Sequence, residues 1–167
     1  MKDLSSSGVP LAPQDDTDIT RTRDAKSQSS ADIDQFKAIA DLFENEPIAL
    51  IEKIEAFQKY ATHKSIAKFL TKYEIFKMIE KVNGSIIECG VLHGTGLMTW
   101  AKLSTIFEPA NHTRKVIGFD TFEGFPSVDG KDTDTGTSDH LRRGGLRGST
   151  IESVMEAIAV YDMARPV

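Results

Sequence analysis

The apolar positions of this chain change period part-way along, and that change divides the sequence. Ile33, Phe36, Ile39, Ala40 and Phe43 recur at helical spacing, which predicts a helix over residues 32–45. Pro47 suits the first turn of a second helix, where its missing N–H costs nothing. Leu50, Ile51, Ile54, Phe57 and Ala61 give that helix one apolar stripe. A third stripe of Ile66, Phe69, Leu70, Tyr73, Phe76 and Ile79 predicts a helix over residues 64–82. Asn83-Gly84 then supplies the stop, since both residues tolerate the left-handed conformation that closes helices. The stripes read most simply as core, with a lid or dimer surface as the alternative.

Beyond Gly84 the pattern shortens. Residues 85–91 (SIIECGV) are apolar and rich in β-branched side chains, as in a strand buried on both faces. Residues 95–107 (TGLMTWAKLSTIF) return to helical spacing, with Leu97, Met98, Ala101 and Leu103 or Ser104 turned inward. A polar return loop over residues 108–113 leads to a second buried strand, residues 115–120 (KVIGFD). Strand, helix and strand in this order form a βαβ unit, so the strands should be parallel with a right-handed crossover. Residues 127–148, rich in Gly, Asp and Arg, predict an irregular loop. Residues 150–161 predict a helix with Ile151, Val154, Met155 and Ile158 on its buried face. The fold class is therefore α/β, divided into a disordered tail over residues 1–30, a helical N-terminal region over 31–83 and an α/β domain over 84–167. The tail assignment follows from its lack of aromatic and scarcity of large apolar residues, which leaves too little burial to offset ordering entropy.

Composition narrows the function classes. A net charge of -5 argues against nucleic acid as a partner. The single cysteine, Cys89, cannot form an internal disulfide and fits a reducing, cytoplasmic setting. Neither a signal peptide nor an apolar run of membrane-spanning length is present in these residues.

The chemistry is concentrated in Glu88-Cys-Gly90-Val-Leu-His-Gly94-Thr-Gly96, which leaves the first strand and enters a helix. In open α/β sheets, ligands lie beyond the carboxyl ends of the strands, close to helix N-termini. A dinucleotide fingerprint would read G-x-G-x-x-G and place a pyrophosphate on the helix. Here the order is E-x-G-x-x-x-G-x-G, which disfavours a nicotinamide-dependent oxidoreductase. The acid two residues before the first glycine suits a cationic ligand, such as the ammonium and sulfonium of S-adenosylmethionine; a glycine-rich turn without a ligand is the plain alternative. The second strand ends in Asp120, followed by Thr121-Phe122-Glu123-Gly124-Phe-Pro126. A carboxylate at that point can accept both hydroxyls of a ribose, and Phe122 is a candidate for the adenine wall. Capping of the following turn is the structural alternative for Asp120.

The runs SIIECGVLHGTGLMTWAKL and KVIGFDTFEGFP, together with the preceding helix KYEIFKMIEKVNG, resemble the macrocin O-methyltransferase (TylF/MycF-like) family of class I, Rossmann-like methyltransferases, over roughly residues 68–165. The resemblance implies S-adenosyl-L-methionine as cofactor and O-methylation of a sugar or other small-molecule hydroxyl. It places Glu88, Gly90, Val91, Leu92, His93 and Gly94 beside the methionine moiety. Asp120, Thr121, Phe122, Glu123 and Gly124 then surround the ribose and adenine. The family's magnesium ion and acceptor hydroxyl are held by aspartates from later strands. The sequence ends at Val167 without a counterpart of those aspartates, so the expectation is a C-terminally truncated, cofactor-side part of the fold. No catalytic residue is assigned. A non-catalytic fragment that binds S-adenosylmethionine or a partner protein is the alternative function, and a homo-oligomer is left open.

Three further groups have plainer readings. Asp129, Asp132, Asp134 and Asp139 share one loop, but their spacing is not that of an EF-hand, and a solvated acidic loop is favoured. Arg142, Arg143 and Arg147 among glycines suit an exposed flexible loop, or else a clamp for an anionic acceptor. His93 is a candidate ligand contact, and Cys89 a small buried apolar residue.

Overall fold

The computed structural model describes residues 29–133 and 141–162, so the expected tail lies outside the described residues except at its end. There Ser30 already begins a helix. In α1 (Ser30–Asn45), Ser29 is the N-cap, its hydroxyl accepting from the Asp32 amide while the Asp32 carboxylate accepts from the Ser29 amide. This reciprocal pair satisfies two of the donors a helix start leaves open. Pro47 lies outside the second helix: α2 (Leu50–Glu55) begins three residues later, after Ala49, whose amide donates to Glu52 at 3.1 Å. Its stripe is not core, since Leu50, Ile51 and Ile54 are all exposed.

A single 3-10 turn (Phe57–Lys59) leads to α3 (His63–Ile79), which Thr62 caps through the Ser65 amide. α3 ends four residues before Asn83, with Val82 folding back onto the Ile79 carbonyl. Phe76 is fully buried, whereas Phe69 and Leu70 face outward. The βαβ unit forms as its pattern predicts. β1 (Ile86–Cys89) and β2 (Val116–Phe119) pair in parallel, Ile86 opposite Val116 and Cys89 opposite Phe119, with α4 (Thr95–Phe107) as the crossover. A short α5 (Gly130–Thr133) and the final α6 (Ile151–Asp162) follow.

The core lies on one side of the sheet. Ile86 packs with Phe76, Trp100 and Leu103, joining β1, α3 and α4. Val91, Leu97 and Val154 form a second cluster that joins the turn after β1 to α4 and α6. The opposite face is open among the described residues: Ile87 is 62%, Phe119 58% and Ile117 36% exposed. Burial on both faces is thus corrected to burial on one. Cys89 alternates onto the open face and is exposed, not a buried apolar residue.

The polar return loop is held from within. Asn111 accepts from the Thr113 and Arg114 amides, and Arg114 forms a bidentate pair with Glu108 at 2.5 and 2.7 Å. The same guanidinium donates to the carbonyls of Ile79, Val82 and Gly84 and lies over the Phe76 ring. It ties the end of α3, the entry to β1 and the entry to β2 to one point.

Candidate cofactor site

Beyond the carboxyl ends of β1 and β2 the chain makes two turns that meet at a carboxylate. Asp120 follows β2 directly. One of its oxygens accepts from the Leu92 amide at 3.0 Å and the other from the Phe122 amide at 2.8 Å. Burial pushes its carboxyl upward, but the amides of Leu92, Phe122, Val91 and Thr121 together outweigh burial and hold it below the usual carboxylate range. The turn after β1 delivers Leu92 to this position, and Gly94 ends that turn in the left-handed region (φ 75°) as the N-cap of α4. A side chain at Gly94 would also press on Val154, 3.3 Å away on α6.

A cleft of about 600 Å³ opens here, lined by Gly90 and Leu92 from the first turn and by Phe119, Asp120, Thr121, Gly124, Phe125 and Pro126 from the second. Gly145 and Leu146 complete its wall. Thr121 closes its own turn by donating to the Gly124 carbonyl at 2.7 Å. Among the described residues, the non-glycine positions with left-handed backbone are Leu92, Phe122 and Leu146 (φ 52°, 57° and 50°). Two line the cleft and the third is hydrogen-bonded to its carboxylate. Strain of this kind, of order 1–3 kcal/mol per residue, persists where surrounding structure imposes it and clusters at ligand sites.

The site residues expected from sequence therefore divide. Gly90, Leu92, Asp120, Thr121 and Gly124 meet at the cleft. Val91 is buried in the second core cluster, and Phe122 packs against that cluster. Gly94 is buried under α6, and Glu123 is exposed. His93 is exposed, with Nδ1 2.9 Å from the Ser149 hydroxyl. Glu88 lies on the α4 side of β1, paired with Lys72 at 3.0 Å.

Sequence reasoning missed Phe119, Phe125, Pro126, Gly145 and Leu146. The last two come from the Gly- and Arg-rich loop, whose described part is stitched to the site. Phe125 and Gly145, Gly144 and Phe125, and Ser149 and Leu92 are joined by backbone hydrogen bonds of 3.0, 2.8 and 3.1 Å. Gly124 makes this approach feasible, because a Cβ there would lie 2.8 Å from Gly144 and overlap the Gly145 carbonyl. The paired glycines were the available signal. Arg142, Arg143 and Arg147 are exposed. Of the acidic loop, residues 134–140 lie outside the described residues, and among those described no three His, Cys, Asp or Glu side chains cluster as a metal site.

This geometry coincides with a family match. The macrocin-O-methyltransferase (TylF) family model matches residues 54–166, more than half of the chain. The chain belongs to the macrocin-O-methyltransferase (TylF) family. Two solved structures share its fold. One is the calicheamicin methyltransferase CalS11, at TM-score 0.75 and 24% identity, covering 83% of this chain and 53% of that one. The other is apo CalS11, described as a TDP-rhamnose 3'-O-methyltransferase of calicheamicin biosynthesis, at TM-score 0.64 and 23% identity, covering 83% and 51%. This TylF-family chain thus spans about half the length of the solved structures it matches. No curated protein sequence matches it.

Proposed function

We propose that this TylF-family chain binds S-adenosyl-L-methionine and forms the cofactor side of an O-methyltransferase acting on the hydroxyl of a sugar or other small molecule. The observation that carries the reading is the Asp120 carboxylate, set just beyond β2 in the wall of an open cleft and reached by the amide of the turn after β1. Each Asp120 oxygen has a lone pair beyond the one its amide donor uses, enough to accept a ribose hydroxyl apiece. Leu92, Phe119, Phe125 and Leu146 give the cleft apolar walls that suit a planar base. The chemistry S-adenosylmethionine supplies when bound is an electrophilic methyl group on a sulfonium sulfur. The chain's own part is to fix that group's position through Asp120 and the Leu92 turn, because orientation is the main help a protein gives to an in-line transfer. A small-molecule acceptor is the partner this reading needs. Magnesium is expected from the family; among the described residues no three His, Cys, Asp or Glu side chains come together to hold it. The lone cysteine suits a cytoplasmic setting.

A second reading, a non-catalytic fragment that binds the cofactor or a partner protein, is favoured by the open apolar face of the two-stranded sheet. A transfer assay with methyl-labelled S-adenosylmethionine and a panel of sugar and phenolic hydroxyls separates the two. Label appearing on an acceptor, and absent with Asp120→Ala, carries the enzyme reading. Cofactor binding without transfer carries the second.

A further inference from the structure

Lys72 belongs to α3, outside every motif that marks the cofactor site, yet its ammonium reaches the acid that opens the glycine turn. Its Nζ lies 3.0 Å from Oε1 of Glu88 and 4.8 Å from the centroid of the Trp100 ring. Three elements, α3, β1 and α4, meet at this pair. The two side chains are only 26% and 16% exposed, so the pair is partly withdrawn from solvent and screened less than a surface bridge. The Trp100 ring face adds a second attraction for the same cation.

The glutamate is fixed as closely from its other side. Gly96, in the first turn of α4, leaves the space that the Glu88 carboxylate fills; a Cβ there would lie 2.6 Å from Oε2 and overlap Oε1. Lys72 thus occupies Oε1, and Gly96 leaves room for both oxygens. Oε2 is buried and has no hydrogen-bond partner, the one side-chain atom in that condition among the described residues. A buried carboxylate oxygen without a donor is costly and calls for a reason. Glu88 stands two residues before Gly90, which lines the cleft.

We propose that Lys72 is a positioning residue for the cofactor: by holding Oε1 of Glu88 it fixes the end of β1, and with it the Gly90 turn against which the ligand's amino-acid group would lie. The proposal rests on the cofactor reading above and adds to it the residue that orients the acid. Lys72 itself touches no ligand.

The test is calorimetric titration of the chain and its Lys72→Met and Lys72→Arg variants with S-adenosylhomocysteine and with adenosine, which lacks the ammonium. Melting temperatures confirm that each variant is folded, and Lys72→Gln replaces Lys72→Met if the latter is not. Lys72→Met is expected to weaken S-adenosylhomocysteine binding about tenfold, the scale of disturbing one charged hydrogen bond, while adenosine changes less than about twofold. Lys72→Arg is expected to restore most of the loss. Equal losses for both ligands would mean a merely structural role and would overturn the proposal, as would unchanged S-adenosylhomocysteine binding. If the unaltered chain bound neither ligand, the cofactor reading would fall first and take this proposal with it.

Discussion

Asp120 meets any ligand with two backbone amides already bound to it. That arrangement makes the carboxylate a joint between the two turns, and it makes the stability of the chain depend on pH. Its folded-state pKa lies below the ordinary 3.8. A group depressed on folding contributes stability that is fully present above the unfolded value and is lost as pH falls through the folded one. Urea midpoints of the chain and of Asp120→Asn should therefore differ at about pH 6, and the difference should shrink as pH falls from the ordinary 3.8 through the lower folded-state value. A difference that stays constant over this range would mean that the charge does not matter to the joint. The acid at the end of β2 was legible in the sequence, because a carboxylate closing a buried strand stands out. Its amide donors were not, because they depend on left-handed backbone at Leu92 and Phe122, two residue types that carry no local signal for it.

Among the elements, the best marked in the sequence is α4, whose range Thr95–Phe107 follows from the glycine that precedes it and the Glu108-Pro pair that ends it. The helix after Pro47 was misplaced because proline is equally at home in the extended residues before a helix. The single-sided burial of β1 and β2 was also illegible: a run of β-branched residues has the same appearance whether one face or both are covered. What holds these elements together is Arg114, with its side chain only 4% exposed and that of Glu108 only 6%. The Glu108 carboxyl is held below its ordinary range, mainly by this arginine. Removing one partner of such a pair leaves a buried charge, so Arg114→Met should destabilise the chain by about 3–5 kcal/mol in urea denaturation. The double variant Arg114→Met/Glu108→Leu should recover a good part of the loss. A single substitution costing no more than a surface change would show that the pair does not tie α3 to the sheet.

At the scale of the whole molecule, the described structure is a βαβ unit with helices against one face and apolar side chains on the other. Ile87, Ile117 and Phe119 lie together on that open face, and Leu50, Ile51, Ile54 and Phe57 add a second exposed apolar group. Surfaces of this kind associate. The 167-residue chain alone should elute above its monomer mass of 18.4 kDa in size-exclusion chromatography. Ile87→Lys/Phe119→Lys should shift it toward the monomer. A monomeric chain at micromolar concentration would mean that the open face is covered from within. The central claim concerns the other end of the sheet, and calorimetric titration with S-adenosylhomocysteine tests it most directly. The expected result is saturable one-site binding that Asp120→Ala weakens by about 1–3 kcal/mol, the scale of stranding a buried polar partner. No binding by the folded chain, or binding that Asp120→Ala leaves unchanged, would contradict it.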